Sequence, residues 1–214
     1  MNILFIFAHP DDEAYGPAGT IAKLAVDHTV TVISLCNGSR PGNEHVSKSR
    51  TDAFVKSCTM LGAKWKIYNS PDCSLNARDA LSIIEMLIDT IQPDIVYTHN
   101  ISDVHADHRI VAEACLVACR PKPGSSVDAL YMCETAASTD WSFGQIEPVF
   151  VPNVFVDITA CIDVKKRVIQ LYSTEIYEFP DARSLGSIEA MALCRGKQVG
   201  VFNAEAFKLV FKRD

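Results

Sequence analysis

The sequence predicts an α/β fold: one domain with a mostly parallel sheet and a functional site at the C-terminal edge of its strands. Two observations carry this. Four apolar, β-branched runs, Ile3–Phe7, Val30–Cys36, Trp65–Tyr68 and Ile95–Thr98, alternate with stretches of helical periodicity. Short alternation of that kind is the pattern of right-handed βαβ units. The first and fourth runs also open directly into turns crowded with His and Asp, and ligands of open α/β sheets sit at the carboxyl ends of strands.

Taken in order, Ile3-Leu4-Phe5-Ile6-Phe7 is unbroken by polar residues, as a strand buried on both faces must be. The turn Gly16-Pro17-Ala18-Gly19 leads into a helix from Thr20 to about Asp27. A second buried strand follows at Val30–Cys36 and ends in Asn37-Gly38-Ser39-Arg40-Pro41-Gly42-Asn43, a loop too long for a plain connection. Residues 46 to 61 carry Phe54, Val55, Cys58 and Leu61 near helical spacing, with Gly62 as the stop. Asn76 to Gln92 places Leu81, Ile84, Leu87, Ile88 and Ile91 on one face before Pro93. After the fourth strand, helical spacing resumes from Arg109 to Cys119. The remainder is less regular. Strands are expected at Ala129–Cys133, Val149–Val156 and Phe207–Phe211, and helices at Cys161–Tyr172 and Ser184–Cys194. No repeat or linker divides residues 1–214, so the expected architecture is a Rossmann-like three-layer sandwich.

Bulk composition narrows the function. A net charge of −6, a pI near 5.5 and no basic run argue against nucleic acid or an anionic membrane surface as partner. The opening apolar run is too short to span a bilayer and lacks the basic residues of a secretory signal. A reducing, cytoplasmic setting is therefore expected. The eight cysteines contain no C-x-x-C. Cys115 and Cys119, four apart on a helix, are read as core thiols rather than metal ligands.

The chemistry concentrates in two places. Ala8-His9-Pro10-Asp11-Asp12-Glu13 packs one imidazole and three carboxylates into five residues after the first strand. Such carboxylates repel one another unless a cation compensates. His105-Ala106-Asp107-His108 occupies the equivalent place after the fourth strand. If the winding reverses between these strands, the two turns meet. His9, Asp12 and His108 then make a shell of two imidazoles and one carboxylate with an open position, a common catalytic zinc arrangement. The ion would lower the pKa of its water to about 7. Asp11 is left as a candidate general base, His105 as an oxyanion donor, and Asp107 as a support for one of the histidines. Arg50 or Arg109 can offset residual negative charge. A dinucleotide site would need glycines where Asp11, Asp12 and Glu13 stand, and no G-x-S-x-G is present for a serine hydrolase.

On these residues the sequence resembles the PIG-L/LmbE-like family of zinc-dependent de-N-acetylases. A-H-P-D-D-E and H-A-D-H carry the resemblance. Supporting positions are Asn37-Gly38, Arg50 with Leu61-Gly62, Asp103, Pro152-Asn153, Val156-Asp157-Ile158-Thr159, Lys165, Tyr172-Ser173, Arg183-Ser184, Arg195-Gly196 and Ala204-Glu205-Ala206-Phe207. The resemblance implies His9, Asp12 and His108 as zinc ligands and Asp11 as the base that deprotonates the water attacking the amide carbonyl. His105 would stabilise the oxyanion or protonate the leaving amine, with Asp107 orienting it. Arg50 would face the substrate. Two departures stand out: Ala106 replaces the usual Pro, and Ala53 stands where an acidic residue commonly follows Arg50, with Asp52 beside it.

The resulting expectation is a zinc-dependent hydrolase removing acetyl from an N-acetylglucosamine-type amino sugar. The alternatives are an amidohydrolase of a non-sugar substrate and a non-catalytic metal- or sugar-binding relative. The ligand set suits Fe2+ as well as Zn2+. Pocket walls are expected from loops 37–48, 70–76 and 134–148, where Trp141 and Phe143 can stack on a sugar. The resemblance also implies a trimer or hexamer.

Overall fold

The computed structural model describes residues 1–39 and 44–213. Seven strands form one sheet: β1 (Asn2–Phe7), β2 (Thr29–Cys36), β3 (Lys64–Ser70), β4 (Ile95–His99), β5 (Ala129–Cys133), β6 (Val154–Asp157) and β7 (Ala204–Lys212). Their order is β3-β2-β1-β4-β5-β7-β6. The first five are parallel, and β7 runs antiparallel between β5 and β6. The helices are α1 (Asp12–Tyr15), α2 (Ala18–Leu24), α3 (Glu44–Met60), α4 (Ala77–Ile91), α5 (Ala106–Ala118), α6 (Ile162–Gln170) and α7 (Leu185–Val199).

Alternation along β1 divides the core into two layers. Ile3, Phe5 and Phe7 pack with residues of α1, α2, α3, α6 and α7 on one face. Leu4 and Ile6 pack with α4 and α5 on the other. Leu4 and Ile6 are fully buried, each contributing on the order of 1.5–3 kcal/mol of transfer free energy. Cys115 and Cys119 belong to this second layer as buried thiols. No helix among the described residues is long and apolar enough to cross a membrane.

The structure moves several boundaries. The strand expected from Val149 begins only at Val154, because Pro152 has no N–H to give a ladder. The final strand starts at Ala204 rather than Phe207, since Glu205 is buried in a place that alternation does not announce. Its carboxylate accepts from the amides of Gly19 (2.9 Å) and Thr20 (2.7 Å) and meets Lys165 Nζ at 2.6 Å. That remote cap also explains why α2 starts at Ala18, earlier than its own sequence suggests. Arg40 to Asn43 of the expected 37–48 loop lie outside the described residues.

For the site, one feature of the topology decides. β1 pairs with β2 on one side and β4 on the other, Ile3 opposite Ile95 and Ile6 opposite Thr98. The winding reverses there, so the turns after β1 and β4 share one edge of the sheet.

Candidate metal centre

The turn after β1 is built by its own carboxylates and by neighbouring strands. The amide of Ala8 donates to His99 Nε2 at 2.9 Å, and that of Cys36 to the Ala8 carbonyl at 2.7 Å. The amide of His9 donates to Asp12 Oδ2 at 2.7 Å, closing the turn and fixing Asp12 at the start of α1. His108 arrives on the first turn of α5, directed inward.

Donor groups of three residues form a triangle, with Asp12 meeting one histidine through each of its oxygens. His9 Nδ1 is 3.1 Å from His108 Nε2 and 3.5 Å from Asp12 Oδ2, and His108 Nε2 is 3.2 Å from Asp12 Oδ1. A tetrahedral ion with bonds near 2.0–2.1 Å needs donor separations of about 3.3 Å. His9, Asp12 and His108 are buried, so their polar atoms have little water to turn to. The ring supports select the tautomers that a ligand needs. His9 Nε2 lies 3.1 Å from both Asp72 Oδ1 and Asp107 Oδ2, which keeps a proton there and leaves the Nδ1 lone pair inward. His108 Nδ1 lies 3.1 Å from Asp103 Oδ2 in the same role. His99 Nε2 also approaches Asp12, at 3.2 Å, but its lone pair already accepts the Ala8 N–H. The donor set therefore fits Zn2+ or Fe2+ held by His9, Asp12 and His108.

Electrostatics follow the same geometry in the metal-free protein. Burial pulls His108 down, but Asp12 and Asp103 outweigh it and its pKa rises to about 9. Burial also pulls His9 down, and its bonds to Asp107, Asp12 and Asp72 lift it well above the usual value. Burial would push Asp12 up, yet the imidazoles of His108 and His99 hold it well below the carboxylate range. Burial and the neighbouring His108 lower His99 to about 4. His105 is also lowered, by burial and then by the charges of His9 and His108. Glu13 is raised to about 8 by burial, while Ser57 Oγ (2.6 Å) and the Tyr172 hydroxyl both donate to its Oε1.

Asp11, beside the donor triangle, pairs with two guanidinium groups through one oxygen. Its Oδ2 is 2.8 Å from Arg50 Nη2 and 3.4 Å from Arg183 Nη1, and its buried Oδ1 has no hydrogen-bond partner among the described residues. Arg50 is itself buried, 3.8 Å from both Asp72 and Glu175, so it holds Asp11 and offers no open face to a substrate. Asp52, beside Ala53, pairs with Lys48 at the surface. Arg109 donates to the carbonyls of Asp103 and Val104 instead of offsetting the acidic turn.

His105 is partly exposed, at the rim of the cluster. The two groups of Asp107 divide: its backbone N–H donates to His105 Nδ1 at 3.2 Å, while its carboxylate meets His9 and accepts from the Cys73 amide at 2.8 Å. The carboxylate thus orients His9, not His105. Trp141 and Phe143 are exposed on a short turn.

Sequence reasoning gave no role to His99, Asp72, Glu175 or Arg183 in this cluster. Glu175 meets Arg183 at 2.8 Å. A His at the last position of β4 was a readable signal. Asp72 lies in a loop expected only as a pocket wall.

Residues 4–119, which contain the whole donor triangle, match the family described as PIG-L, GlcNAc-PI de-N-acetylase. The chain belongs to the PIG-L family. Among curated relatives of this family, it is 31% identical over 130 residues to YaiS, an uncharacterised deacetylase of Escherichia coli K12, covering 57% of this chain and 70% of the relative. Two solved structures share the fold. GalB, the 4-carboxy-2-hydroxymuconate hydratase of Pseudomonas putida KT2440, superposes with a TM-score of 0.78 at 22% identity, covering 100% of this chain and 97% of that one. The N,N′-diacetylchitobiose deacetylase of Pyrococcus horikoshii gives a TM-score of 0.76 at 21% identity, covering 98% and 83%.

Proposed function

We propose that this protein hydrolyses the N-acetyl amide of an N-acetylglucosamine-type amino sugar, releasing acetate and the free amine. The observation that carries the reading is the His9–Asp12–His108 triangle with Asp11 unpaired at one oxygen beside it. Family membership and the acetylated sugar named for the chitobiose deacetylase support the substrate class. The fold alone does not choose the reaction, since a hydratase shares it.

A divalent ion, Zn2+ in our reading, would be held by His9, Asp12 and His108 and would supply Lewis acidity toward an amide carbonyl and a water. The chain's own residues do the rest. Asp107 and Asp72 hold His9, and Asp103 holds His108, in the tautomers that face the ion. Arg50 and Arg183 fix one oxygen of Asp11, so the other is aimed and free to take a proton from the attacking water. His105 Nδ1 is engaged by the Asp107 amide, which places its proton on Nε2, where it can donate to the developing oxyanion and then to the departing nitrogen. The eight free cysteines fit a cytoplasmic setting.

The test is acetate release from a panel of N-acetylhexosaminides set against N-acetylated amino acids, with zinc- and iron-loaded enzyme. Turnover of the sugars with little on the amino acids is expected. The opposite preference would replace this reading by a non-sugar amidohydrolase.

A further inference from the structure

Beside the first donor triangle stands a second one, built from Cys73, to which the proposed reaction gives no role, and from Asp72 and His105, which it uses only as a support for His9 and as a proton donor. Asp72 and Cys73 follow β3, and His105 precedes α5. Cys73 Sγ is 3.4 Å from Asp72 Oδ1 and 3.9 Å from His105 Nε2, and Nε2 is 3.6 Å from Oδ1. Thiolate bonds near 2.3 Å and nitrogen or oxygen bonds near 2.0–2.2 Å set tetrahedral separations of about 3.4–3.6 Å. The three atoms therefore stand within a few tenths of an ångström of a metal shell. Their setting is that of a site with an entrance: Asp72 is buried, His105 is partly exposed and Cys73 is exposed. Cys73 takes a left-handed backbone (φ 59°), unusual for a residue with a Cβ, and its amide is tied to Asp107 Oδ2.

We propose that Asp72, Cys73 and His105 form a second cation site, distinct from the first, for a thiophilic divalent ion such as Zn2+, Cd2+ or Co2+. No donor atom is shared with the first triangle, which uses His9 Nδ1, Asp12 and His108 Nε2. One carboxylate, one imidazole and one thiolate leave a fourth position open to water. The thiolate selects against Mg2+ and Ca2+, which take oxygen ligands. Binding releases the Cys73 thiol proton to solvent and moves the His105 ring proton from Nε2 to Nδ1, at the cost of the long hydrogen bond from the Asp107 amide. Resting on the function proposed above, occupancy also inhibits: His105 Nε2, once ligated, has no proton to give the oxyanion or the amine.

The test titrates metal-free protein with Co2+. Two equivalents bind per chain, and a thiolate-to-cobalt charge-transfer band in the near ultraviolet accompanies one of them. Cys73→Ser abolishes the band and leaves one equivalent. Cys36→Ser, which removes a buried thiol 3.8 Å from Asp107, leaves the band in place. His108→Ala removes the equivalent without the band and keeps the one with it, so failure of the first site and failure of the second give different signals. With acetate release as a second readout, excess Zn2+ lowers the rate at least tenfold in the native protein and not in Cys73→Ser. A wild-type stoichiometry of one without the band, or a band that survives Cys73→Ser, overturns the second site.

Discussion

Arg50 Nη2 stands 2.8 Å from Asp11 Oδ2, joining the middle of α3 to the turn after β1 with both side chains buried. A buried carboxylate deprived of its guanidinium is an uncompensated charge, and breaking such a pair typically costs about 3–5 kcal/mol. Arg50→Ala is therefore expected to lower the urea midpoint sharply. Arg50→Lys should rescue only part of it, because an ammonium lacks the fork that reaches Asp11, Asp72 and Glu175 together. A variant as stable as the parent would show that Arg183 alone, 3.4 Å away, suffices to hold Asp11.

Asp11 is not a member of the donor triangle, and His108 is. Asp11→Ala should keep the metal of the His9–Asp12–His108 site, read as the Co2+ equivalent without the thiolate band, while turnover falls about 10²–10⁴-fold, the usual contribution of a positioned base. His108→Ala should lose the metal of that site. Full activity in the first variant, or stoichiometric zinc bound at the His9 and Asp12 site in the second, would reverse these assignments.

Glu13 is a carboxyl raised to about 8, so the native state holds its proton at neutral pH. The unfolded chain releases that proton near pH 4.5, so this group's contribution to stability falls as pH rises from about 4.5 to 8, by an amount on the order of a few kcal/mol. Glu13→Gln keeps an oxygen that accepts from Ser57 and Tyr172 and cannot ionise. Its stability should match the parent near pH 5 and exceed it near pH 8. Equal pH profiles from chemical denaturation would mean that Glu13 is charged in the native state.

Binding of the proposed metal should change the pH response in a defined sense. Without an ion, His108 has a pKa of about 9, raised by Asp12 and Asp103. The stability this confers is complete below about 6.5 and is lost as pH rises through 9. A bound ion requires the deprotonated ring, so protons compete with it. The increase in Tm on adding metal should accordingly grow from pH 6.5 to pH 9. A shift that shrinks over this interval would exclude His108 as a ligand.

Most of what positions the donor triangle could be read from sequence. The apolar run before His9 and the apolar run before His99 each specify a strand, while the adjacency of β1 and β4, conditional in the sequence, is supplied by the sheet order. The surroundings of Asp11 could not be read in this way. Arg183 and Glu175 come from an irregular stretch with no periodicity, and Asp72 from a turn whose left-handed Cys73 has no glycine to mark it. The division of Asp107 between His9 and His105 depends on which group, amide or carboxylate, faces which ring, and residue spacing does not encode that. The antiparallel β7 was partly hidden because its first turn of sequence, Ala204-Glu205, is buried by Lys165 and the α2 amides, not by apolar alternation.

The central place of β1 has a consequence for biosynthesis. β1 precedes both of its flanking strands in the sequence, so one of its edges stays bare until residues 95–99 have been added. During translation, the acidic turn at 9–13 therefore leaves the ribosome about 95 residues ahead of His108, the imidazole that would complete the proposed ion shell. Of the three proposed ligands, His9 and Asp12 alone would then have been made. Loading of the proposed site with metal would therefore follow the pairing of β4 and the start of α5, and until then the open edge of β1 is where a chaperone would be of most use.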